Sequence, residues 1–414
     1  MSNDRRKIRF GLWYDFRNPA QWRQPADRLY REILDQIAWG ENNGFDDVWL
    51  SEHHFIEDGY LPSIMPAAAA IAARTNRIRI ASGVLLMPLH NPIRLAEDIA
   101  TVDVISGGRF ELGVGIGFKR EEFLGFGVSS KERGARTDQS LEIIRRALAG
   151  ETVTFKSGFF DFQNIKVTPE PIQKPHPPIW LGGFTPAALR RAVRFGDGFT
   201  VPGANRDLYD RYVSELKKEN RPTENLRFAS GFWFLIVSND PEKTFAEAAE
   251  HVIYQVNNYS AWLEAGGLQP LAPQLYDREA LRQSGLLQVV DPETAIRLIR
   301  DLADTVPITH FYSWTLPPGL PPRWAADAPG AVRLEGDPSV SLTASARLRM
   351  AAFVKGFGCR PRASDRPGIG PASESLRRRN PRESGEWLAV YGDLAGQRLW
   401  RGMIFRRSMR AESR

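Results

Sequence analysis

Two adjacent histidines, His53 and His54, stand at the end of a short apolar segment, Asp47-Val-Trp-Leu-Ser-Glu-His-His-Phe55, in a chain with only six histidines. Neighbouring residues on an extended backbone point to opposite sides. One imidazole then faces a central cavity and the other the wall beside it. Histidine titrates closest to neutral pH, which suits a strand-end histidine to proton transfer. The pair also reads as two hydrogen-bonded structural histidines, and this stretch alone leaves both readings open. The other histidines, His90, His176, His251 and His310, show no metal-ligand spacing. The single cysteine, Cys359, excludes an internal disulfide and a cysteine-based metal cluster. No G-x-S-x-G nucleophile elbow occurs.

Three glycine-bearing segments carry the other candidate chemistry. Gly83 interrupts a strand-like run, where a missing side chain marks a bulge, the close approach of a flat ligand, or simply tight packing. Leu112-Gly-Val-Gly-Ile-Gly117 lacks the G-x-G-x-x-G spacing of a dinucleotide fingerprint. Its alternating glycines, Gly115 among them, would clear one wall of a cavity for a ligand that needs backbone proximity. Gly182-Gly183-Phe184-Thr185, followed by Pro186, leads from a strand into a helix. Free N–H groups at such a helix start favour an anion such as a phosphate, and such sites are common on the upper face of barrels. An ordinary N-capped turn explains the same residues.

The elements that position these residues follow a regular order. Hydrophobic runs predict strands over 8–12, 47–50, 78–86, 110–114, 179–181, 198–201, 228–237 and 308–314. Helices are predicted over 26–43, 66–73, 93–105, 137–149, 186–195 and 208–218, one opening at Pro241 and one at Asp291-Pro292. Leu29, Ile33 and Ile37 share one helix face, Gly44 supplies a C-cap and Asp291 an N-cap. Strict alternation of eight strands with helices predicts an α/β fold, a (β/α)8 TIM barrel whose site lies at the strand C-termini. Residues 118–136, 151–178 and 257–290 exceed a minimal barrel and are read as insertions at that face, the second with a hairpin around Ser157-Gly158.

Hydrophobic residues make up 42% and charged residues 25% of the 414, an ordinary globular composition. No apolar run is long enough to span a bilayer and no signal-peptide core opens the chain, so a cytoplasmic protein is expected. The net charge of +6 belongs to the tail: residues 341–414 hold sixteen Lys and Arg against six Asp and Glu, a surplus of ten, which leaves the preceding chain at −4. A mildly acidic body gives no reason to expect nucleic-acid binding. Residues 1–322 are expected to form the barrel and residues 323–414 an Arg/Pro/Gly-rich tail, largely disordered, with one short helix over 348–353.

The quoted motifs also occur in a recognisable order. Ser51-Glu-His-His-Phe55, Ser82-Gly-Val-Leu-Leu-Met-Pro-Leu-His-Asn-Pro-Ile-Arg94, Asp103-Val-Ile-Ser-Gly-Gly-Arg-Phe110, Pro177-Pro-Ile-Trp-Leu-Gly-Gly183 and His310-Phe-Tyr-Ser-Trp314 together resemble the bacterial luciferase-like, flavin-dependent monooxygenases. The resemblance covers residues 8–322. It implies a barrel that holds reduced FMN, with a non-proline cis peptide at Gly83–Val84 and a phosphate grip at Gly182, Gly183, Phe184 and Thr185. Ile116 stands where the luciferases carry a phosphate-binding arginine, which shifts that task to backbone N–H groups and Thr185. Glu52-His53-His54 looks like the FMN-using branch, whereas deazaflavin-using relatives tend to carry one histidine after an aspartate.

By the same resemblance, reduced FMN comes from a separate flavin reductase and reacts with O2. The resulting C4a-hydroperoxide, protected in a dry pocket, oxygenates a small apolar organic substrate. His53 then acts as general base or hydrogen-bonds the peroxide, His54 supports it or anchors the flavin, and Glu52 orients an imidazole. Trp13, Phe55, Phe118, Trp233 and Trp314 suit an apolar pocket and barrel packing equally. The alternatives are a deazaflavin-dependent oxidoreductase on the same fold and a non-catalytic flavin-binding protein. Family members often dimerise, so a homodimer is one expected state. They also end in a helix packed on the barrel, which the arginine-rich tail replaces here; a shifted reading frame or a genuine extension would each account for it.

Overall fold

The computed structural model describes residues 8–224 and 226–322. The chain divides into two units, Met1–Cys359 and Arg360–Arg414, and the described residues lie in the first. The tail expected over 323–414 falls outside them.

Eight parallel strands form the wall: β1 (Arg9–Tyr14), β2 (Asp47–Leu50), β3 (Arg79–Ser82), β4 (Phe110–Gly115), β5 (Ile179–Gly182), β6 (Gly198–Thr200), β7 (Arg227–Phe232) and β8 (His310–Trp314). Each pairs with its sequence neighbour and β8 returns to β1, with Arg9 opposite His310. The β3–β4 pairing, Ile80 opposite Phe110, closes the ring into a (β/α)8 barrel. Helices α1 (Ala26–Asn42), α2 (Ile64–Arg74), α3 (Pro92–Ser106), α4 (Arg120–Gly125), α5 (Arg133–Leu148), α6 (Pro186–Phe195), α7 (Arg206–Lys218), α8 (Pro241–Ala265), α9 (Arg278–Ser284) and α10 (Pro292–Thr305) connect the strands.

Local chemistry sets the helix ends. Asn91 caps α3 by accepting from the N–H groups of Ile93 and Arg94, Pro92 opens the first turn, and Gly107 ends it in the left-handed region. Asp291 caps α10 in the same way by accepting from Thr294. On α1, Leu29, Ile33 and Ile37 are fully buried, and each contributes about 1.5–3 kcal/mol by leaving water.

Alternation along the strands stacks the barrel interior in layers. At the bottom, Arg9 pairs with Asp47 at 2.7 Å, and Arg79 pairs with Glu111. His310 belongs to this bottom layer, and burial pushes its imidazole down to about 3. Above it, Trp49, Trp180 and Tyr312 fill the middle beside Ala81 and Ala229. Glycine makes the room: a Cβ on Gly11 would meet Trp49 Nε1 at 2.7 Å, and one on Gly198 would meet Trp180 at 2.4 Å.

The structure refines several expected bounds. The third predicted strand breaks at the cis peptide Gly83–Val84, and its continuation, Leu85–Leu86, pairs with the end of β4. The seventh breaks after Phe232: Phe234–Val237 leaves the barrel and pairs with Leu287–Val290, which balances its hydrogen bonds outside the wall. Asn257 lies inside α8, so the third insertion begins only after Ala265. The 151–178 segment does contain a hairpin, Thr152–Lys156 against Asp161–Lys166. Among the described residues no helix follows β8. A shallow apolar groove lies on the outer face there, lined by Phe10, Leu12, Leu235, Ile299 and Phe311.

Candidate functional site

The loop after β2 enters the mouth of the barrel and buries Glu52, His53 and His54 together. The two imidazoles diverge, and each meets its own carboxylate. His53 Nδ1 lies 2.7 Å from Glu122 Oε1. The same oxygen accepts the backbone N–H of His54 at 2.9 Å. A carboxylate can only accept, so Nδ1 carries a proton and donates it to Glu122, and Nε2 is the ring nitrogen turned away from that pair. Glu122 is fully buried on α4.

His54 turns away from this pair. Its Nε2 lies 2.6 Å from Glu52 Oε1, and His90 Nε2 reaches the same oxygen at 2.8 Å. Glu52 Oε2 accepts the N–H of Leu86 at 3.0 Å, which ties the loop to the segment after the cis peptide. Burial works against an ionised Glu52, but the charges and hydrogen bonds of His90 and His54 hold its carboxyl at about 2. Burial likewise opposes a charged His90, yet Glu52 raises it.

Aromatic rings surround His53. Tyr60 lies 4.9 Å away by ring centroid, Trp262 5.3 Å, Phe118 5.6 Å and Tyr259 5.8 Å. Tyr259 and Trp262 come from α8. The Tyr60 hydroxyl donates to Ser51 Oγ at 2.8 Å and lies 2.5 Å from the Tyr259 hydroxyl. Burial pushes both phenols well above their usual range, so both stay protonated donors. Behind them Arg17 is sealed from solvent, its Nε 2.6 Å from Asp58 Oδ2.

The glycine-bearing segments meet at one place on the wall. Val84 lodges against two of them: a Cβ on Gly115 would meet Val84 Cγ2 at 2.5 Å, and one on Gly182 would meet Val84 Cγ1 at 3.2 Å. A Cβ on Gly83 would meet the Trp13 ring at 3.0 Å. These glycines therefore serve contacts within the wall as well as thinning it. Gly183 holds φ at +138°, and Thr185 caps α6 by accepting from the N–H of Ala188. Phe184 between them is exposed.

Sequence reasoning singled out Glu52, His53 and His54, and the structure brings them together, though Glu52 serves His54 and not His53. It missed Glu122, the partner of His53, and His90, the second partner of Glu52. Only the Glu121-Glu122 pair just beyond the β4 glycines hinted at the first. Trp262 and Tyr259 were also missed, because they lie some two hundred residues away in sequence and look like ordinary helix aromatics.

A closed barrel with paired histidines and a glycine-thinned wall at the strand C-termini is built as barrel enzymes are, with the site at that face. A family model described as luciferase-like monooxygenase matches residues 8–306, and the chain belongs to that family. It is 24% identical to the oxygenase component of a flavin-dependent trigonelline monooxygenase from Acinetobacter baylyi, over 68% of this chain and 82% of the relative. It is 26% identical to limonene 1,2-monooxygenase from Rhodococcus erythropolis, over 73% and 79%. An F420-dependent glucose-6-phosphate dehydrogenase from Amycolatopsis mediterranei is 31% identical, over 46% of this chain and 59% of the relative. Among solved structures, monooxygenase RslO1 from Streptomyces bottropensis superposes with a TM-score of 0.65 at 26% identity, over 76% of this chain and 94% of that one. The family thus includes both flavin and deazaflavin users. Among the described residues no helix is long and apolar enough to cross a membrane.

Proposed function

We propose that the protein is an FMN-dependent monooxygenase that inserts one atom of O2 into a small organic substrate beside His53. The observation that carries this reading is the buried His53–Glu122 pair, which fixes the imidazole by Nδ1 and leaves Nε2 for the reaction within a wall of aromatic rings. The flavin-dependent trigonelline monooxygenase and the limonene 1,2-monooxygenase among the relatives support it, and so does the Glu-His-His form of the loop.

The residues present fit a flat ring. A Cβ would clash with Val84 at Gly115 and crowd its neighbours at Gly83 and Gly182, so the wall there is backbone plus the half-buried Val84. A planar ligand lies well on such a surface. Gly182, Gly183, Phe184 and Thr185 at the start of α6 would hold its phosphate. Reduced FMN, delivered by a flavin reductase as the name of the trigonelline relative's oxygenase component suggests by analogy, supplies the electrons that activate O2. His53 Nε2 takes or holds a proton at the reacting centre, and Glu122 stabilises the imidazolium. His54, Glu52 and His90 fix the loop. Tyr60, Tyr259, Phe118 and Trp262 exclude water.

The test uses the full chain. FMN should bind in preference to F420, and the protein should retard the reoxidation of reduced FMN by O2. His53→Ala should bind FMN with unchanged affinity but lose the retardation and most product formation. Unchanged turnover in His53→Ala would remove His53 from the reaction, and preference for F420 would favour hydride transfer instead.

A further inference from the structure

One indole, Trp262, is shared by three charged or titratable groups. His53 lies 5.3 Å from it, the Arg17 guanidinium 5.3 Å and the Lys119 ammonium 4.7 Å. Cations over an indole face are favourable, yet two of them converging on one ring beside a reactive imidazole need an explanation.

The charge balance separates the two cations. Arg17 is offset by Asp58 at 2.6 Å, with Asp15 against its main chain. Among the described residues its Nη1 and Nη2 have no hydrogen-bond partner, and the guanidinium lies against the rings of Tyr60, Tyr254 and Trp262. Burial pushes the Asp15 carboxyl up to about 7, so it carries only part of a charge near neutral pH. Glu122 is engaged by His53 and the His54 N–H. Lys119 is different. It is 8% exposed and makes no hydrogen bond among the described residues. Its carboxylate neighbour, Glu121, is 3.7 Å away with a side chain 63% exposed. The Lys119 ammonium, held among the described residues only by that long ion pair and the indole face, keeps donors free for an acidic ligand.

Lys119 also stands where a substrate would end. It follows Phe118, whose ring faces His53, and its own ammonium lies on Trp262. We propose that the substrate is an aromatic carboxylate, its ring against Phe118, Tyr259 and Trp262 beside His53 and its carboxylate on the Lys119 ammonium. This rests on reading the His53 pocket as the substrate site. It narrows the small organic substrate to one with an acidic end.

Calorimetry on the full-length, flavin-free protein tests it with benzoate, its neutral amide benzamide, and inorganic phosphate. Benzoate should bind about tenfold more tightly than benzamide, the ratio expected for one charge-assisted hydrogen bond. Lys119→Met should abolish the difference and leave benzamide binding intact, which also shows that the variant is folded. Lys119→Arg should keep most of it. Arg17 is left alone because its Asp58 pair is part of the core. Equal affinities, no benzoate binding at millimolar concentration, or an unchanged ratio in Lys119→Met would each overturn the proposal. Displacement of benzoate by phosphate would also overturn it, because Lys119 would then be a general anion seat such as a flavin phosphate uses. Flavin is absent throughout, so failure here leaves the FMN reading standing, and failure to bind FMN leaves this result unaffected.

Discussion

Replacing Glu52 with Gln removes the charge that joins the His54 loop to His90 and to the segment after the cis peptide. One Glu52 oxygen serves both imidazoles, at 2.6 and 2.8 Å, and the other serves the Leu86 N–H. An amide cannot accept from all three. The carboxyl stands at about 2 against an ordinary 4.5. At 1.36 kcal/mol per pKa unit, that depression is worth about 3 kcal/mol of stability. The folded value lies below the unfolded one, so this contribution is complete above about pH 4.5 and is lost as the pH falls toward 2. His90 is shifted upward from 6.5, so its share is complete below that value and is lost as the pH rises through the raised one. The cluster therefore stabilises most between about pH 4.5 and 6.5. Urea unfolding of the full chain and of Glu52→Gln, followed by tryptophan emission across this range, measures it. The two should differ by about 3 kcal/mol inside the window, converge as the pH falls toward 2, and differ by less once the pH rises past the raised His90 value. A difference that does not vary with pH, or one below about 1 kcal/mol at its largest, would refute the assignment of these charges.

Glu122→Gln should cost catalysis more than binding. The amide can donate to His53 Nδ1, which would move the ring proton to Nε2 and remove the base. Product formation should fall about a hundredfold with FMN affinity unchanged, and a fall confined to affinity would argue against the role. Gly115→Ala should weaken FMN binding about tenfold, because the new Cβ must displace Val84, which it meets at 2.5 Å. Adding Val84→Ala to the same chain should restore much of the affinity, as read by quenching of flavin fluorescence; no rescue would show that Val84 is not the group displaced.

The sequence alone was enough for the barrel, because its cause is local and periodic. Apolar strand runs such as 110–114, helix faces such as Leu29-Ile33-Ile37, and caps such as Asp291-Pro292 each act within a few residues. The motif order even located the cis peptide at Gly83–Val84. Arg109, quoted only as part of a motif, shows what such a residue can do structurally. It donates to main-chain oxygens of Ala72, Thr75, Ile78 and Ser106 and to the Thr75 hydroxyl, and so ties the end of α2 to the start of β4.

What only the tertiary structure decided is which side chain answers which. Two carboxylates lay within reach of the histidine pair. Glu52, two residues from His54 and one from His53, looked equally able to serve either. Backbone direction gave it to His54, and chain closure brought His90 to the same oxygen from 38 residues away. His53 received Glu122 from 69 residues away. Val84 packed against Gly115 and Gly182 and became part of the wall that the glycines thin. Trp262 joined Lys119, Arg17 and His53 through contacts that span most of the barrel. Each of these depends on how distant segments pack over the closed ring, and no local period or spacing in the chain encodes such distances.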